Sequence, residues 1–458
     1  MRTLKPLPLM LCLLGLSTPV LASDLMEVYR QAQEMDATFA SARYARDAGI
    51  EALPQGRSLL LPTVGLAGAK TRTDIERGGS DFSNTNRTWT LSLSQPLFRW
   101  QNWAQYKQGE AKAQQAEALF VSAQQDLIVR VAQAYFDVLL AQDNVELQQA
   151  QKAAIAEQLE QAKISFEVGT ATITDTHDAQ ARYDLVNSQE IAALNDLEVK
   201  RRALEVLIGR YPDMLKPLAG KLPLDLPQPN DMDKWVESAD AQNPQLLAQR
   251  ANYEVARQQV EVNRAGHLPT LDLVASRSKN SNATFGTSAI GQTTTDSVGL
   301  QLNIPLFQGG YVSSKLREAA ASFEKAKQDL ELTKRQVDLQ ARQSYLGVTS
   351  GIAQVKALEQ ALVSNQSSLE STQLGQEVGV RTSVDVLNAR QQLYTAKYNL
   401  AQARYNYIVS RLKLKAAVGS LTEDDLSQVN RWLGDLPKPA TPPAPANDEK
   451  TAAKQQNG

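Results

Sequence analysis

Ser297-Val298-Gly299-Leu300-Gln301-Leu302-Asn303-Ile304-Pro305-Leu306-Phe307 sets the terms for the whole chain. Val298, Leu300, Leu302 and Ile304 alternate with Ser297, Gly299, Gln301 and Asn303, so an extended segment here carries one apolar and one polar face. An earlier stretch, Thr88 to Phe98, repeats the design: Trp89, Leu91 and Leu93 alternate with Thr90, Ser92 and Ser94, and the same Pro-Leu-Phe closes it at 96–98. Two partners precede them. Val64 and Leu66 alternate with Thr63, Gly65 and Ala67; Leu271 and Leu273 alternate with Thr270 and Asp272, with Val274 breaking the pattern. The expected strands are about 63–72, 87–96, 269–279 and 295–304, joined in pairs by polar loops at about 73–86 and 280–294. Strands of about ten residues, apolar on one side, have the dimensions of a membrane barrel. Four strands cannot close a barrel in lipid, where every edge must be paired, and small barrels need about eight. Copies must assemble, and three would supply twelve strands.

The recurrence extends over the chain. Leu61-Pro62-Thr63 returns as Leu268-Pro269-Thr270, Glu167-Val168-Gly169 as Glu377-Val378-Gly379, Asp175 as Asp385 and Gly209 as Gly419, all at offsets of 207 to 210. Five landmarks in one order indicate an internal twofold repeat, roughly 23–225 and 226–436. Between the landmarks lie very long helical windows. Residues 110–168 contain neither proline nor glycine, and 170–208 and 380–418 are likewise free of both. They are rich in Ala, Gln, Leu and Glu. A helix of such length reaches about 90 Å, beyond any compact domain. Ile128, Val131, Tyr135, Val138 and Val145 form a coiled-coil seam. Val168-Gly169-Thr170 and Val378-Gly379-Val380 read as tight reversals, giving helical hairpins over about 97–208 and 306–418. Helices alone would suit a soluble periplasmic coiled-coil scaffold that conducts nothing; the strands argue against it.

Residues 1–22 have the form of an export signal: Arg2 and Lys5, an apolar run from Leu7 to Leu16, and small-residue spacing at Val20 and Ala22. No later apolar run is long enough for a membrane helix. With 48 basic against 50 acidic residues, nothing favours nucleic acid. Cys12 and the two histidines, His177 and His267, give neither a disulfide framework nor a Cys/His metal cluster. No phosphate loop or nucleophile elbow is visible, so neither cofactor nor catalytic residue is expected. The stretch 437–458, with five prolines, is expected to be a disordered tail.

Leu61-Pro62-Thr63, the run His267 to Leu273, Pro305-Leu306-Phe307-Gln308-Gly309-Gly310, Val384-Asp385-Val386-Leu387-Asn388-Ala389 and Ala403-Arg404-Tyr405-Asn406-Tyr407 resemble the TolC-type outer-membrane efflux protein family over residues 24 to about 430. The likeness lies with the TolC branch rather than with the lipid-anchored one. This resemblance implies a mainly α protein with a β-barrel: a homotrimer whose twelve strands form an outer-membrane barrel continuous with a periplasmic α-helical tunnel. A mixed α/β equatorial belt would come from about 211–255 and 420–436. The implied role is the exit duct of tripartite efflux pumps or type I secretion systems in a Gram-negative outer membrane, not an enzyme. It implies a periplasmic adaptor and an inner-membrane RND, ABC or MFS transporter as partners. It also assigns a closed periplasmic end. Asp385 falls at a constriction ring, where mutual repulsion would raise carboxylate pKa values. Asn388 stands where a second ring aspartate is expected, and Asp178 is its first-repeat counterpart. Arg381 would bond Thr174 and Asp175, Arg404 would form a second link, and Gln376 replaces a tyrosine of the family. The tips Val168, Gly169, Thr170, Val378, Gly379 and Val380 would receive the adaptor.

Overall fold

The computed structural model describes residues 23–78, 80–220, 222–285 and 288–434. The expected export signal at 1–22 and proline-rich tail at 437–458 lie outside them. Three helices, α1 (Leu25–Met35), α2 (Ala37–Ile50) and α3 (Ala52–Ser58), lead into two strands, β1 (Thr63–Arg77) and β2 (Ser80–Phe98). A 68-residue helix, α4 (Trp100–Glu167), and a 36-residue helix, α5 (Ile173–Ile208), follow. The same order then recurs: α6 (Met232–Gln242), α7 (Pro244–Arg264), β3 (Thr270–Phe285), β4 (Ser288–Asn303), the 67-residue α8 (Tyr311–Glu377) and the 36-residue α9 (Ser383–Val418), with α10 (Glu423–Asn430) closing. At 1.5 Å per residue, α4 and α8 are each roughly 100 Å long.

The four strands form one antiparallel sheet in the order β1-β2-β3-β4. The middle pair joins residues far apart in sequence, as in Leu93↔Ala275 and Leu91↔Arg277. The strands are longer than their alternation suggested. The segments expected as loops at about 73–86 and 280–294 are largely strand, and the first ladder runs out to Arg77↔Ser80. Backbone pairing explains the difference, because a Ser/Thr/Asn-rich ribbon satisfies its N–H and C=O groups across the hairpin without an apolar face. Directly opposed residues share a face. Val64↔Leu93, Leu66↔Leu91, Leu273↔Leu300 and Ala275↔Val298 therefore lie on one side. That side is open, with Leu66 at 70% and Val298 at 78% exposure, while Asn86, Thr88, Thr90, Ser278 and Asn280 on the polar side partly cover one another. The apolar side is therefore the one turned outward to solvent, and among the described residues β1 and β4 have no strand on their outer edges.

Below the sheet, α4 lies against α3, α2 and α7, and α7 against α8. Gly56 and Gly109 allow the close crossing of α3 and α4: a Cβ on Gly109 would lie 2.3 Å from the Ala52 carbonyl oxygen, and one on Gly56 3.0 Å from Tyr106 Cα. The junction between strands and helices is tied by Arg99, which forks onto Asp272 with Nε–Oδ1 at 2.8 Å and Nη2–Oδ2 at 2.5 Å. Further down α4 packs on α5 and α9, and α8 on α9. No helix among the described residues is long and apolar enough to cross a membrane.

The main core sits where α1, α4, α5, α9 and α10 meet. Leu25, Tyr29, Leu127, Tyr135, Phe136, Tyr407 and Leu412 are all at most 2% exposed there. Tyr135 Oη donates to the Lys216 carbonyl at 2.8 Å, and Phe136 stacks on Tyr405 with centroids 5.5 Å apart. Bridges Ser23↔Leu215 and Leu218↔Leu433 bind the irregular segment after α5 to the residues just before α1 and just after α10. The belt expected from about 211–255 and 420–436 differs in one respect. Residues 244–264 form α7, which runs lengthwise on α4 and α8, while α1 supplies belt packing instead. Pro244 at the first turn and Asn243 capping Leu246 N at 3.1 Å start that helix.

Candidate functional site

The ends of the long hairpins farthest from the sheet are built twice from the same local chemistry. Gly169 and Gly379 sit at φ +78° and +80°, with nothing within 4 Å of an added Cβ. Glycine is needed there for the left-handed backbone rather than for space. Thr170 N donates to the Ser165 carbonyl at 2.8 Å and Gly169 N to that of Phe166 at 3.0 Å; Val380 N and Gly379 N do the same to Gly375 and Gln376, at 2.9 and 3.0 Å. These paired bonds close the last turns of α4 and α8. Val168, Val378 and Val380 are left 66–75% exposed, an apolar tip on each hairpin.

Each second helix begins with a reciprocal cap. Asp175 Oδ2 accepts from Thr172 N at 2.9 Å and from Thr172 Oγ1 at 2.8 Å, and Asp175 N donates to Thr172 Oγ1 at 3.3 Å. Asp385 and Thr382 repeat this at 2.9, 2.9 and 3.2 Å. The donated backbone hydrogen bond, and then the threonine hydroxyl, hold both carboxyls below the usual carboxylate range; at Asp385 the Arg381 charge adds to this. Within one chain the influence on Asp385 is therefore opposite in sign to the repulsion expected of a ring.

The expected gate residues gather only in part. A cleft of about 380 Å³ between the two tips brings Thr170, Asp175 and Asp178 opposite Gln376, Thr382 and Ser383, with Gln376 Nε2 donating to Ser383 Oγ at 3.0 Å. Thr174 and Asp178 are exposed on α5. Arg381 makes no hydrogen bond or ion pair to Thr174 or Asp175 among the described residues; its side chain lies over Gly375. Arg404 pairs with Glu359 at 2.7 Å, linking α9 to α8 inside the second hairpin. Asn388 joins the hairpins, accepting from Arg182 Nη1 at 3.1 Å.

Arg182 was not anticipated from sequence, nor was its surround. Ile155, Val186 and Leu387, from α4, α5 and α9, bury together at 3–6% exposure, and Lys152 bridges to Glu190 and Asn187 at 2.7 Å. Ile155 and Val186 each fall on the apolar stripe of their helix, which is the only signal the sequence offers. Their meeting with Leu387 depends on how helices more than two hundred residues apart are aligned.

An outward apolar sheet, continuous with helices of roughly 100 Å that end in capped reversals, is an architecture suited to one segment of a membrane-anchored duct. The comparisons with known proteins agree. Residues 28–210 and 235–420 both match the family described as outer membrane efflux protein, and the chain belongs to that family. It is 39% identical to outer membrane protein TolC of Vibrio cholerae over 437 residues, covering 94% of this chain and 99% of that one. It is 36% identical to the alkaline protease secretion protein AprF of Pseudomonas aeruginosa, covering 93% and 91%. The crystal structure of the outer membrane protein VceC of Vibrio cholerae shares the fold, with a TM-score of 0.75 at 20% identity, over 86% of this chain and 96% of that one.

Proposed function

We propose that three copies of this chain assemble into an outer-membrane exit duct, with a twelve-stranded barrel above and a helical tunnel through the periplasm. The observation that carries the reading is the four-stranded sheet with an exposed apolar face and two edges unpaired among the described residues. The helical edges support it as well. On α8, Leu332, Leu339 and Leu346 lie seven residues apart at 55–56% exposure; on α5, Val199 and Val206 do so at 55% and 78%. Heptad-spaced apolar residues left open on both flanks suit packing against the next copy. Relatives named for secretion and efflux extend the reading to drug, toxin or protein export, with energy from an inner-membrane RND, ABC or MFS transporter joined through a periplasmic adaptor. The chain itself acts as a conduit and catalyses no reaction.

In such a ring α5 of one copy flanks α8 of the next, which would bring Arg381 to Thr174 and Asp175 of the neighbouring copy. Three Asp385 carboxylates would then face the axis, with Asn388 held back by Arg182. The valine tips would offer the adaptor an apolar knob at each hairpin.

Fractionation and mass measurement test this. The duct requires detergent for extraction from the outer membrane and has the mass of three chains. A protein that washes off as one or two soluble chains would instead be the periplasmic scaffold.

A further inference from the structure

Beyond its apolar band, on the side away from the helices, the outward face of the sheet turns abruptly cationic. Lys70 follows Val64 and Leu66 at the same parity on β1; Arg87 lies beyond Leu91 and Trp89 on β2; Lys279 lies beyond Leu273 and Ala275 on β3. Lys70 is directly opposite Arg87, and Lys279, opposite Trp89, is diagonal to Arg87. All three side chains are exposed, and none forms an ion pair or side-chain hydrogen bond among the described residues. The two other outward cations nearby are already paired, Arg72 with Asp74 at 3.1 Å and Arg277 with Asp296 at 3.3 Å. Glu76 lies farther out, near the turn.

Like charges directly opposite each other on adjacent strands destabilise a sheet. Three unpaired cations on three neighbouring strands, at the edge of an apolar band and beside a tryptophan, therefore call for an anion between them. If β1 pairs with β4 of the next copy, that strand brings no free acid at this level, because Asp296 is held by Arg277 and its outward neighbours Thr294 and Val298 are uncharged. The helices place this rim at the outer leaflet.

We propose that Lys70, Arg87 and Lys279 form a binding site for the phosphate groups of an outer-leaflet glycolipid, with Trp89 against the sugar–acyl boundary. This rests on the outer-membrane reading above. Charge-assisted contacts from lysine and arginine hold each phosphate, and the acyl chains extend down the band formed by Leu66, Leu91 and Val298. There is one such site per chain, spread over both repeats.

Native mass spectrometry of the full-length assembled protein in detergent tests the site with three probes: bisphosphorylated lipid A, the same lipid dephosphorylated, and inorganic phosphate. The wild type should retain the phosphorylated lipid roughly tenfold or more over the dephosphorylated one. Lys70→Gln, Arg87→Gln and Lys279→Gln together should abolish that preference, and Lys279→Gln alone should reduce it severalfold, while excess inorganic phosphate does not compete. Equal retention of the two lipids, an unchanged preference in the triple variant, or displacement by inorganic phosphate would overturn the proposal. Conductance in phosphatidylcholine bilayers separates the two readings. A triple variant that conducts like the wild type shows an intact barrel, whereas silence of both proteins would count against the duct itself.

Discussion

The belt and the hairpin tips are made from the same helices, yet they are held together by different forces. At the belt, α4 and α9 bury tyrosines, phenylalanine and leucines at or near zero exposure, and α1 and α10 pack over them. Toward the tips the shared apolar set between hairpins shrinks to Ile155, Val186 and Leu387. The rest of the contact is polar: the Arg182–Asn388 bond, a 3.5 Å bond from Arg390 Nη1 to the Ala154 carbonyl, a 380 Å³ cleft and two self-contained caps. A close-packed belt has no second arrangement of similar energy, whereas a junction of a few polar bonds does. The same long helix can therefore be fixed at its middle and movable at its end.

Breaking the belt should cost most. Phe136→Ala, at 1% exposure and stacked on Tyr405, should lower stability by about 3–5 kcal/mol. Thermal unfolding of the solubilised protein reads this as a lowered midpoint, with tip and belt lost together. At the tips, Val186→Ala should cost about 2 kcal/mol, because one small cluster is diminished and the core is untouched. Hydrogen exchange should then rise in the tips while the belt stays protected. Arg182→Ala removes one inter-hairpin hydrogen bond, worth about 1 kcal/mol, and should raise tip exchange less than Val186→Ala does.

Acidity offers the smallest and sharpest contrast. Asp175 and Asp385 have folded pKa values below their unfolded ones, so their contribution is present above the unfolded value and is lost as pH falls through the folded one. Asp143, beneath the belt, is pushed up by burial, with the Tyr405 hydroxyl at 2.7 Å pulling partly back. Its contribution is present below the unfolded pKa and is lost as pH rises through the folded one. Acidification across the carboxylate range should loosen the tips while leaving the Asp143–Tyr405 contact in place. Exchange rates corrected for intrinsic pH dependence would show this, and parallel loosening of both regions would contradict it.

The tips were the most legible part of the sequence, because a glycine between two proline-free windows allows little but a reversal, and Val168-Gly169 and Val378-Gly379 both make one. The strand cores were legible through apolar alternation at Val298 to Ile304, but the outer strand halves were not, since backbone pairing holds a polar ribbon without any apolar pattern to betray it. Thr172-x-x-Asp175 and Thr382-x-x-Asp385 carry the sequence signature of a capping box, so the local duty of both aspartates was readable beside the gate role that the family resemblance supplied. Arg182 meeting Asn388 was not readable, because it depends on the relative register of α5 and α9. Nor was α7, whose helix begins inside the stretch assigned to the belt.

The central claim, a fixed belt above a movable entrance, is tested most directly by single-channel conductance of the purified assembly in planar bilayers. The wild type should conduct weakly, and Arg182→Ala combined with Asp175→Ala should conduct severalfold more with an unchanged unfolding midpoint for the belt. A doubly substituted channel with wild-type conductance, or one whose gain comes only with loss of the belt, would contradict it.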